Sequence, residues 1–280
     1  MMIDFHTHIF PSSIASPILK VLKEGIRKYS GFLPTAYTDA TADGLRVSMA
    51  EAGIGLSVVL PIATKPTQTA TINRYAKEVS GNGILSFGTL HPDNEDAEGI
   101  LEGLAENGFV GIKLHPEFQK CGIDSPKSLR ILRKAEELGL YSVVHAGNDL
   151  GMPKPLHCTP EMLNHVLGEV SGRYLIAAHM GGLDLFDDVE KYLVGKPLYF
   201  DTAFVNGRLD AEQARRMITA HGADKILFGS DSPWGDQKAA VSYIRSLGLP
   251  EADEAAILGE NAARILRLTG LSHETLPDKM

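Results

Sequence analysis

The sequence predicts an α/β fold, a (β/α)8 TIM barrel that forms a single domain. Short apolar runs bounded by Gly or Pro alternate with segments of helical periodicity along most of the 280 residues. This pattern is typical of a parallel sheet covered by helices. Eight such runs in a chain of this length fit one closed barrel. The runs cover residues 3–8, 55–62, 84–91, 110–115, 141–145, 174–179, 198–203 and 226–231.

The structural alternative is an open, doubly wound sheet. That fold would need a glycine-rich phosphate-binding turn after a strand. No G-x-G-x-x-G pattern occurs in the chain, so the closed barrel is the better prediction. We expect the barrel to cover residues 1–268 and a C-terminal tail to follow at 269–280.

The helical segments between the runs complete the barrel units, and most of them end at a glycine. One region departs from this rhythm. Residues 9–40 are predicted to be an insertion after the first strand, with an amphipathic helix at 18–29. Such an insertion is either a binding element or a surface excursion. The other helices are predicted at residues 41–52, 70–79, 97–107, 126–138, 160–170, 185–194, 211–221 and 261–268.

Composition excludes several classes of protein. Hydrophobic residues make up 44% of the chain and charged residues 22%, which is ordinary globular usage. A net charge of -8 without a Lys/Arg cluster argues against a nucleic-acid partner, and no apolar run is long enough to span a membrane. Cys121 and Cys158 are too few for a disulfide framework. We expect a cytoplasmic protein that acts on a small molecule, with a homo-oligomer as an open possibility.

The first run carries a His-x-His pair, His6 and His8. Side chains alternate in a regular strand, so Asp4, His6 and His8 are expected to share one face, opposite Phe5. Imidazoles on adjacent pleats, with Cβ atoms about 6.5–7 Å apart, can converge on one metal ion. An isolated pair is more often a pair of surface or core histidines than a metal site, so partners elsewhere in the chain decide.

Histidines are concentrated at the ends of the predicted strands. Catalytic residues of a (β/α)8 barrel lie at the carboxyl ends of its strands, and six of the ten histidines fall there. Their convergence predicts a metal site. The remaining histidines are expected to be surface or packing residues. The polar residues at strand ends are His6, His8, His91, Lys113, His115, His145, His179 and Asp231.

Four strand motifs carry a family resemblance: D-F-H-T-H on the first strand, V-V-H-A-G on the fifth, A-H-M-G-G on the sixth and F-G-S-D-S-P-W on the eighth. Together they resemble the amidohydrolase superfamily, in particular the amidohydrolase-related branch that contains hydrolases and metal-dependent decarboxylases. The resemblance implies that His6, His8, His145 and Asp231 hold a divalent metal, with Zn²⁺ favoured. Three imidazoles and one carboxylate suit such an ion and leave a position open for water.

The implied reaction is hydrolysis of a C–N or C–O bond in a small polar substrate of amide or lactone type. Asp231 is expected to be the proton shuttle, because a carboxylate beside a metal-activated water can take its proton. His179 either binds a second ion or orients the substrate. A non-oxidative decarboxylase on the same scaffold is the main alternative, and a non-catalytic binding barrel is another.

Lys113 has three interpretations. It is an ammonium that clamps an anionic substrate, a carbamylated lysine that bridges a second ion, or a member of a structural salt bridge. His115 is expected to face the same way as Lys113 and to contact the substrate. Asn148 and Trp234 follow strand ends, where they would orient and cover a small ligand. For Trp234 a packing role over the last turn is the alternative.

Overall fold

Parallel strands form the centre of the molecule, as the sequence predicts. The computed structural model describes residues 1–268, and the predicted tail at 269–280 lies outside them. Each strand pairs with its neighbours in chain order. Within the described residues the strands are β1 (Met2–Thr7), β2 (Ile54–Val59), β3 (Ile84–Ser86 and Gly88–Thr89), β4 (Gly111–Leu114), β5 (Tyr141–Val144), β6 (Leu175–Ala177), β7 (Tyr199–Asp201) and β8 (Ile226–Leu227).

Backbone hydrogen bonds close these strands into a ring. Between the two pieces of β3, the Phe87 amide still donates to the Val59 carbonyl of β2 at 2.9 Å. At the seam, the Phe5 amide donates to the Phe228 carbonyl at 2.7 Å, and the Asp231 amide donates to the His6 carbonyl at 2.9 Å. The first and last strands therefore meet, which confirms the predicted barrel.

Helices surround the barrel, and polar N-caps start several of them. The side chains of Thr41, Asp96, Ser125, Thr159 and Asp236 each accept a hydrogen bond from a first-turn amide, which satisfies a group that the helix leaves unpaired. The helices are α1 (Ser12–Ser30), α2 (Ala42–Ala52), α3 (Thr69–Val79), α4 (Ala97–Glu106), α5 (Pro116–Gln119), α6 (Pro126–Glu137), α7 (Pro160–Val166), α8 (Phe186–Tyr192), α9 (Ala211–His221), α10 (Gln237–Ser246), α11 (Glu251–Ala255) and α12 (Asn261–Ile265).

The core has two layers. One fills the barrel, where Phe5 and Phe87 meet edge to face with ring centroids 5.5 Å apart. The other lies between the strands and the helices, and includes Leu101, Ile131 and Phe228. Burial of both layers provides the main stabilisation of the fold. Among residues 1–268, no helix has both the length and the apolar character needed to cross a bilayer.

The region predicted to be an insertion consists mainly of α1. Ala15 is its only buried residue, so the helix lies on the surface. The Ser30 hydroxyl donates to the Leu150 carbonyl at 2.5 Å, after β5, and the Tyr37 amide donates to the Pro233 carbonyl at 2.8 Å, after β8. Because both contacts follow strand ends, the insertion runs over the face where the histidines lie.

The prediction that Asp4 and His6 share a face was wrong. The register of β1 shifts against β2, since Asp4 pairs with Ser57 but Thr7 pairs with Val59. Three steps along β1 thus oppose two along β2, which is a β-bulge. Asp4 turns outward and accepts a hydrogen bond from Gln237 of α10 at 2.7 Å. The bulge leaves His6 pointing into the barrel.

Candidate metal centre

Three predicted ligands converge at the carboxyl end of the barrel. His6 Nε2 and His8 Nε2 are 3.2 Å apart. Asp231 Oδ1 lies 3.4 Å from His6 Nε2 and 3.2 Å from His8 Nε2. His6 lies on β1 and His8 directly follows this strand. Asp231 follows β8, which neighbours β1 at the barrel seam. The side chains are largely buried, so water cannot easily satisfy these atoms.

In each ring, the hydrogen bond made by Nδ1 determines whether Nε2 carries a proton or a lone pair. His6 Nδ1 donates to Asp201 Oδ2 at 2.8 Å, and His8 Nδ1 donates to the Leu60 carbonyl at 2.8 Å. Both acceptors lack a proton to give, so in a neutral ring Nδ1 carries the hydrogen and Nε2 carries a lone pair. Two lone pairs and a carboxylate oxygen therefore face one another, an arrangement that a bound cation would stabilise.

Protonation of His6 does not provide this positive charge at neutral pH. Burial, reinforced by the charge of Lys113, lowers the pKa of His6 to about 4. Burial alone would raise the pKa of Asp231, but the adjacent side chains of His8 and His6 lower it to about 2. A neutral imidazole and an ionised carboxylate are the forms that bind metal.

The spacing of the three atoms also fits a metal ion. Ligands about 2.0–2.1 Å from a tetrahedral zinc ion lie about 3.3–3.4 Å from one another. The separations here are 3.2, 3.2 and 3.4 Å. His6, His8 and Asp231 are therefore a donor set that can hold a divalent cation.

Backbone strain accompanies these positions. Asp231 has a φ of 66°, and His179 and Met180 have φ values of 57° and 53°. Residues other than glycine rarely adopt this left-handed conformation, and its cost is of order 1 kcal/mol or more. Such strain tends to occur where a side chain must be aimed at a site. It turns Asp231 toward the histidines of β1.

His145, the fourth predicted ligand, is not part of this three-atom cluster. Its Nδ1 lies 3.0 Å from His179 Nε2, and its Nε2 is buried without a hydrogen-bond partner among the described residues. The ring of His179 is oriented by the Ala203 carbonyl, which accepts from its Nδ1 at 2.9 Å. The metal-binding role of His145 and the catalytic role of His179 stay predictions.

The side chain of Lys113, on β4, points into the barrel and is 1% exposed. Its Nζ is 3.3 Å from His6 Nε2. Burial lowers the pKa of Lys113 to about 8, although the charges of Asp201 and Asp231 oppose this shift. No carboxylate of residues 1–268 forms an ion pair with Lys113 within 4.0 Å, which disfavours the salt-bridge interpretation.

A second cluster contains His115, His145 and Asp149. The two rings stack in parallel, with centroids 4.1 Å apart and planes 11° apart. His115 Nε2 lies 3.4 Å from Asp149 Oδ2. Burial is the main reason that the pKa values of both histidines lie well below the usual range.

Burial also raises the pKa of Asp149 to about 6, and the charges of Glu117 and Asp231 add to this shift. Burial thus favours the neutral form of both rings of the second cluster, and the side chains of Asp149 and Asp231 are both slightly exposed, at 13% and 12%. His115 therefore lies where a substrate contact was predicted, but nothing in the structure tests that role.

The remaining predicted contact residues lie at the rim. The Asn148 amide nitrogen donates to Asp184 Oδ2 at 3.1 Å, so this side chain already has a protein partner. Trp234 is half-buried, and its backbone amide donates to the Asp231 carbonyl at 2.8 Å. It belongs to the turn that follows β8. Their roles in substrate binding stay predictions.

Asp201 is a site residue that was not predicted from the sequence. Its carboxylate is fully buried and accepts the hydrogen bond from His6 Nδ1. The signal for it was an acidic residue inside the apolar run at 198–203, because a buried carboxylate needs a partner. The sequence alone does not tell which partner it has.

Comparison with known proteins identifies the family. The family model described as Amidohydrolase matches residues 3–268. The chain belongs to this amidohydrolase family. No curated protein sequence gives a significant match.

Solved structures agree on the fold. Similar chains include a 5-carboxyvanillate decarboxylase from Sphingomonas paucimobilis, with 17% identity, a TM-score of 0.67 and coverage of 95% of this chain and 98% of the other. A putative 2-pyrone-4,6-dicarboxylic acid hydrolase from Pseudomonas putida has 17% identity, a TM-score of 0.65 and coverage of 96% and 98%. A dihydroxybenzoic acid decarboxylase from Polaromonas, solved with bound manganese and an inhibitor, has 17% identity, a TM-score of 0.65 and coverage of 96% and 98%. Both the family and these neighbours are enzymes.

Proposed function

We propose that the chain is a divalent-metal-dependent hydrolase that cleaves a C–N or C–O bond in a small polar substrate of amide or lactone type. The observation that carries the proposal is the convergence of His6 Nε2, His8 Nε2 and Asp231 Oδ1 within 3.4 Å. His145 is proposed as a fourth ligand. We take the ion to be Zn²⁺, since two imidazoles and a carboxylate suit it, and the location to be cytoplasmic.

The bound ion would supply Lewis-acid chemistry, which activates water and polarises a carbonyl group. Side chains of the protein would then accept and donate the protons. Asp231 uses Oδ1 toward the histidines, which leaves Oδ2 to accept a proton from water and return it to the leaving group. Its low pKa keeps this carboxylate ionised before the reaction.

His179 is proposed to orient the substrate from the neighbouring strand. Its Nδ1 donates to the Ala203 carbonyl, so in a neutral ring Nε2 carries a lone pair, which faces His145 Nδ1 at 3.0 Å and would have to leave that contact to meet a substrate. Lys113 is proposed to bind an anionic group of the substrate, since it is buried without a carboxylate partner among the described residues. One metal equivalent per chain would fit an ammonium at Lys113, whereas two equivalents would favour a carbamate that bridges two ions.

Non-oxidative decarboxylation is the second candidate. Two of the three similar structures reported above are decarboxylases. In that reaction the same cluster would anchor substrate oxygens, and Asp231 would deliver a proton to carbon. The two reactions use the same protein groups, so only their products separate them.

Product analysis tests the proposal. Zinc-loaded and chelator-stripped protein would be assayed against a panel of small lactones, amides and hydroxybenzoates in ¹⁸O-labelled water. Hydrolysis predicts metal-dependent turnover with ¹⁸O in the new carboxyl group. Release of carbon dioxide without ¹⁸O uptake would favour the decarboxylase. Stoichiometric metal binding that leaves turnover of every active substrate unchanged would contradict both.

A further inference from the structure

Asp201 connects two parts of the site. Its Oδ2 accepts from His6 Nδ1 at 2.8 Å. Its Oδ1 accepts from the backbone amide of His179 at 2.9 Å and from that of Ala203 at 3.0 Å. Every one of these donors is buried. One carboxylate on β7 thus holds a ring from β1 and the turn that follows β6.

The contact with His6 decides which nitrogen of that ring is free. An ionised carboxylate only accepts hydrogen bonds, so Nδ1 must carry the proton and Nε2 the lone pair. That lone pair faces His8 Nε2 and Asp231 Oδ1, the other two atoms of the cluster, and also Lys113 Nζ at 3.3 Å. With the opposite tautomer, His6 would present an N–H group that no metal can bind.

The hydrogen bonds from the backbone amides of His179 and Ala203 to Asp201 likewise orient a histidine ring, that of His179. They fix the turn after β6 against the end of β7, where the Ala203 carbonyl accepts from His179 Nδ1 at 2.9 Å. His179 is therefore also held with its Nε2 lone pair directed at His145 Nδ1, 3.0 Å away. Asp201 orients one ring directly and the other through the backbone.

Asp201 accepts three hydrogen bonds despite its complete burial. Burial would raise its pKa, but the hydrogen bond from His6 and the charge of Lys113 keep the pKa below its usual value. Three N–H donors compensate much of the cost of the buried charge. A carboxylate behind a ligating imidazole also makes that imidazole a stronger donor to the metal.

We propose that Asp201 is a positioning residue that holds His6 in the Nδ1–H tautomer and thereby sets the affinity of the His6, His8 and Asp231 cluster for a divalent cation. This inference rests on the proposed function, because it presupposes that the cluster binds metal. Asp201 itself does not touch the ion or the substrate.

The chain contains a matched control for this contact. Glu117 is also a buried carboxylate, and its Oε2 lies 2.8 Å from His157 Nδ1, the same separation as in the pair of Asp201 and His6. His157 belongs to neither histidine cluster, and its side chain is 30% exposed. Glu117→Gln therefore removes the same kind of buried charge without touching a predicted ligand.

The experiment compares metal affinity in three stripped proteins: wild type, Asp201→Asn and Glu117→Gln. Competition of Zn²⁺ against a chromophoric chelator gives the dissociation constant. Asp201→Asn should weaken binding by about 10–100-fold, the usual effect of losing the partner of a ligating histidine. Glu117→Gln should bind as the wild type does. Equal affinity in Asp201→Asn and the wild type would overturn the proposal.

A tautomer measurement gives a second readout that general destabilisation would not produce. Long-range ¹H–¹⁵N NMR spectra of ¹⁵N-histidine-labelled, metal-free protein distinguish Nδ1–H from Nε2–H. The wild type should show His6 as Nδ1–H. Asp201→Asn should shift the population toward Nε2–H, since an amide NH₂ can donate to Nδ1. A His6→Gln spectrum assigns the signal.

The two proposals fail in different ways. If the wild type binds no divalent cation, the proposed function fails. If the wild type binds Zn²⁺ but metal-free His6 is Nε2–H, the inference about Asp201 fails while the proposed function stands. The wild-type spectrum decides this point even if Asp201→Asn does not fold.

Discussion

Two clusters of the same composition lie at the mouth of this barrel, and their ring geometry separates them. In the first, the rings lie at 77° to each other and their Nε2 atoms are 3.2 Å apart. In the second, the rings are nearly parallel, at 11°, and stacked 4.1 Å apart. The clusters are His6, His8 and Asp231, and His115, His145 and Asp149.

This difference decides which cluster suits an ion. The lone pair of an imidazole nitrogen lies in the plane of its ring. Rings at a steep angle can direct two lone pairs to one point, whereas stacked rings hold their lone pairs in two separate, nearly parallel planes that share no nearby point. Two histidines and an aspartate close together are therefore not sufficient for a metal site. The second cluster is better suited to contact a ligand that enters the opening.

The largest contrast is expected in turnover, between Asp231→Asn and Asp149→Asn. An amide can still coordinate through oxygen but cannot take a proton, so Asp231→Asn should lower kcat by about 10²–10⁴, the usual cost of a lost acid–base group. Asp149→Asn should change KM more than kcat, since we assign its cluster to ligand contact. Steady-state kinetics on a substrate found by the product assay measures both.

Metal content is the control for this pair. Both variants should retain zinc, so that the loss in Asp231→Asn reflects proton transfer. Near-normal kcat in metal-loaded Asp231→Asn would reduce Asp231 to a ligand, and the proton shuttle would then be sought at His179. A larger fall in kcat for Asp149→Asn would reverse the assignment of the two clusters.

The sequence predicts the first cluster for a geometric reason. Parallel strands of a barrel end at one face, so His6, His8 and Asp231 must meet there even though they are distant in the chain. The alternation of apolar and helical segments likewise defines the barrel. These features repeat along the sequence or follow from topology, so they do not depend on the details of packing.

Other features depend on those details. The bulge in β1, which separates Asp4 from His6, is a one-residue shift set by pairing with β2, and no local pattern marks it. The role of Asp201 depends on which buried donor its carboxylate meets. The stacking of His115 on His145 depends on side-chain rotamers at two strand ends. Such pairwise choices require the folded coordinates.

A smaller contrast is expected in metal affinity, between His6→Ala and His115→Ala. Loss of a direct ligand should weaken Zn²⁺ binding by more than about 100-fold, because losing only the partner of a ligand already costs about 10–100-fold. His115→Ala should leave the affinity near that of the wild type. Chelator competition on stripped proteins measures all of these constants.

The same measurement of Zn²⁺ affinity on His145→Ala tests whether His145 is a metal ligand. If His145 is the fourth ligand, its variant should resemble His6→Ala. If it serves only in the stacked pair, its variant should resemble His115→Ala. Equal weakening by His6→Ala and His115→Ala would show that ring angle does not separate the clusters.

The smallest contrast is expected in the pH dependence of the free energy of unfolding, and it depends on the carboxyl group of Asp149. The pKa of this carboxyl is about 6 in the folded protein, against 3.8 for an unperturbed aspartate. The folded state therefore holds its proton more tightly than the unfolded state between these values, and stability falls as pH rises from about 4 to 6. Above pH 6 the ionised, buried carboxylate imposes its full penalty.

Asp149→Asn removes this titration. The difference in unfolding free energy, variant minus wild type, should rise between pH 4 and pH 7. The upper bound is about 3 kcal/mol, since one pKa unit corresponds to about 1.4 kcal/mol. We expect about 1–2 kcal/mol, because a side chain at the opening relaxes toward water when it ionises. Urea unfolding of metal-free protein at both pH values measures the difference.

Asp231 should behave in the opposite way in the same metal-free protein. Its folded pKa, about 2, lies below the usual 3.8, so its contribution to stability is present above pH 4 and is lost as the pH falls toward 2. Asp231→Asn should therefore not gain stability relative to the wild type between pH 4 and pH 7. If both variants gained equally over that range, the two aspartates would share one environment, and the electrostatic distinction between the clusters would be wrong.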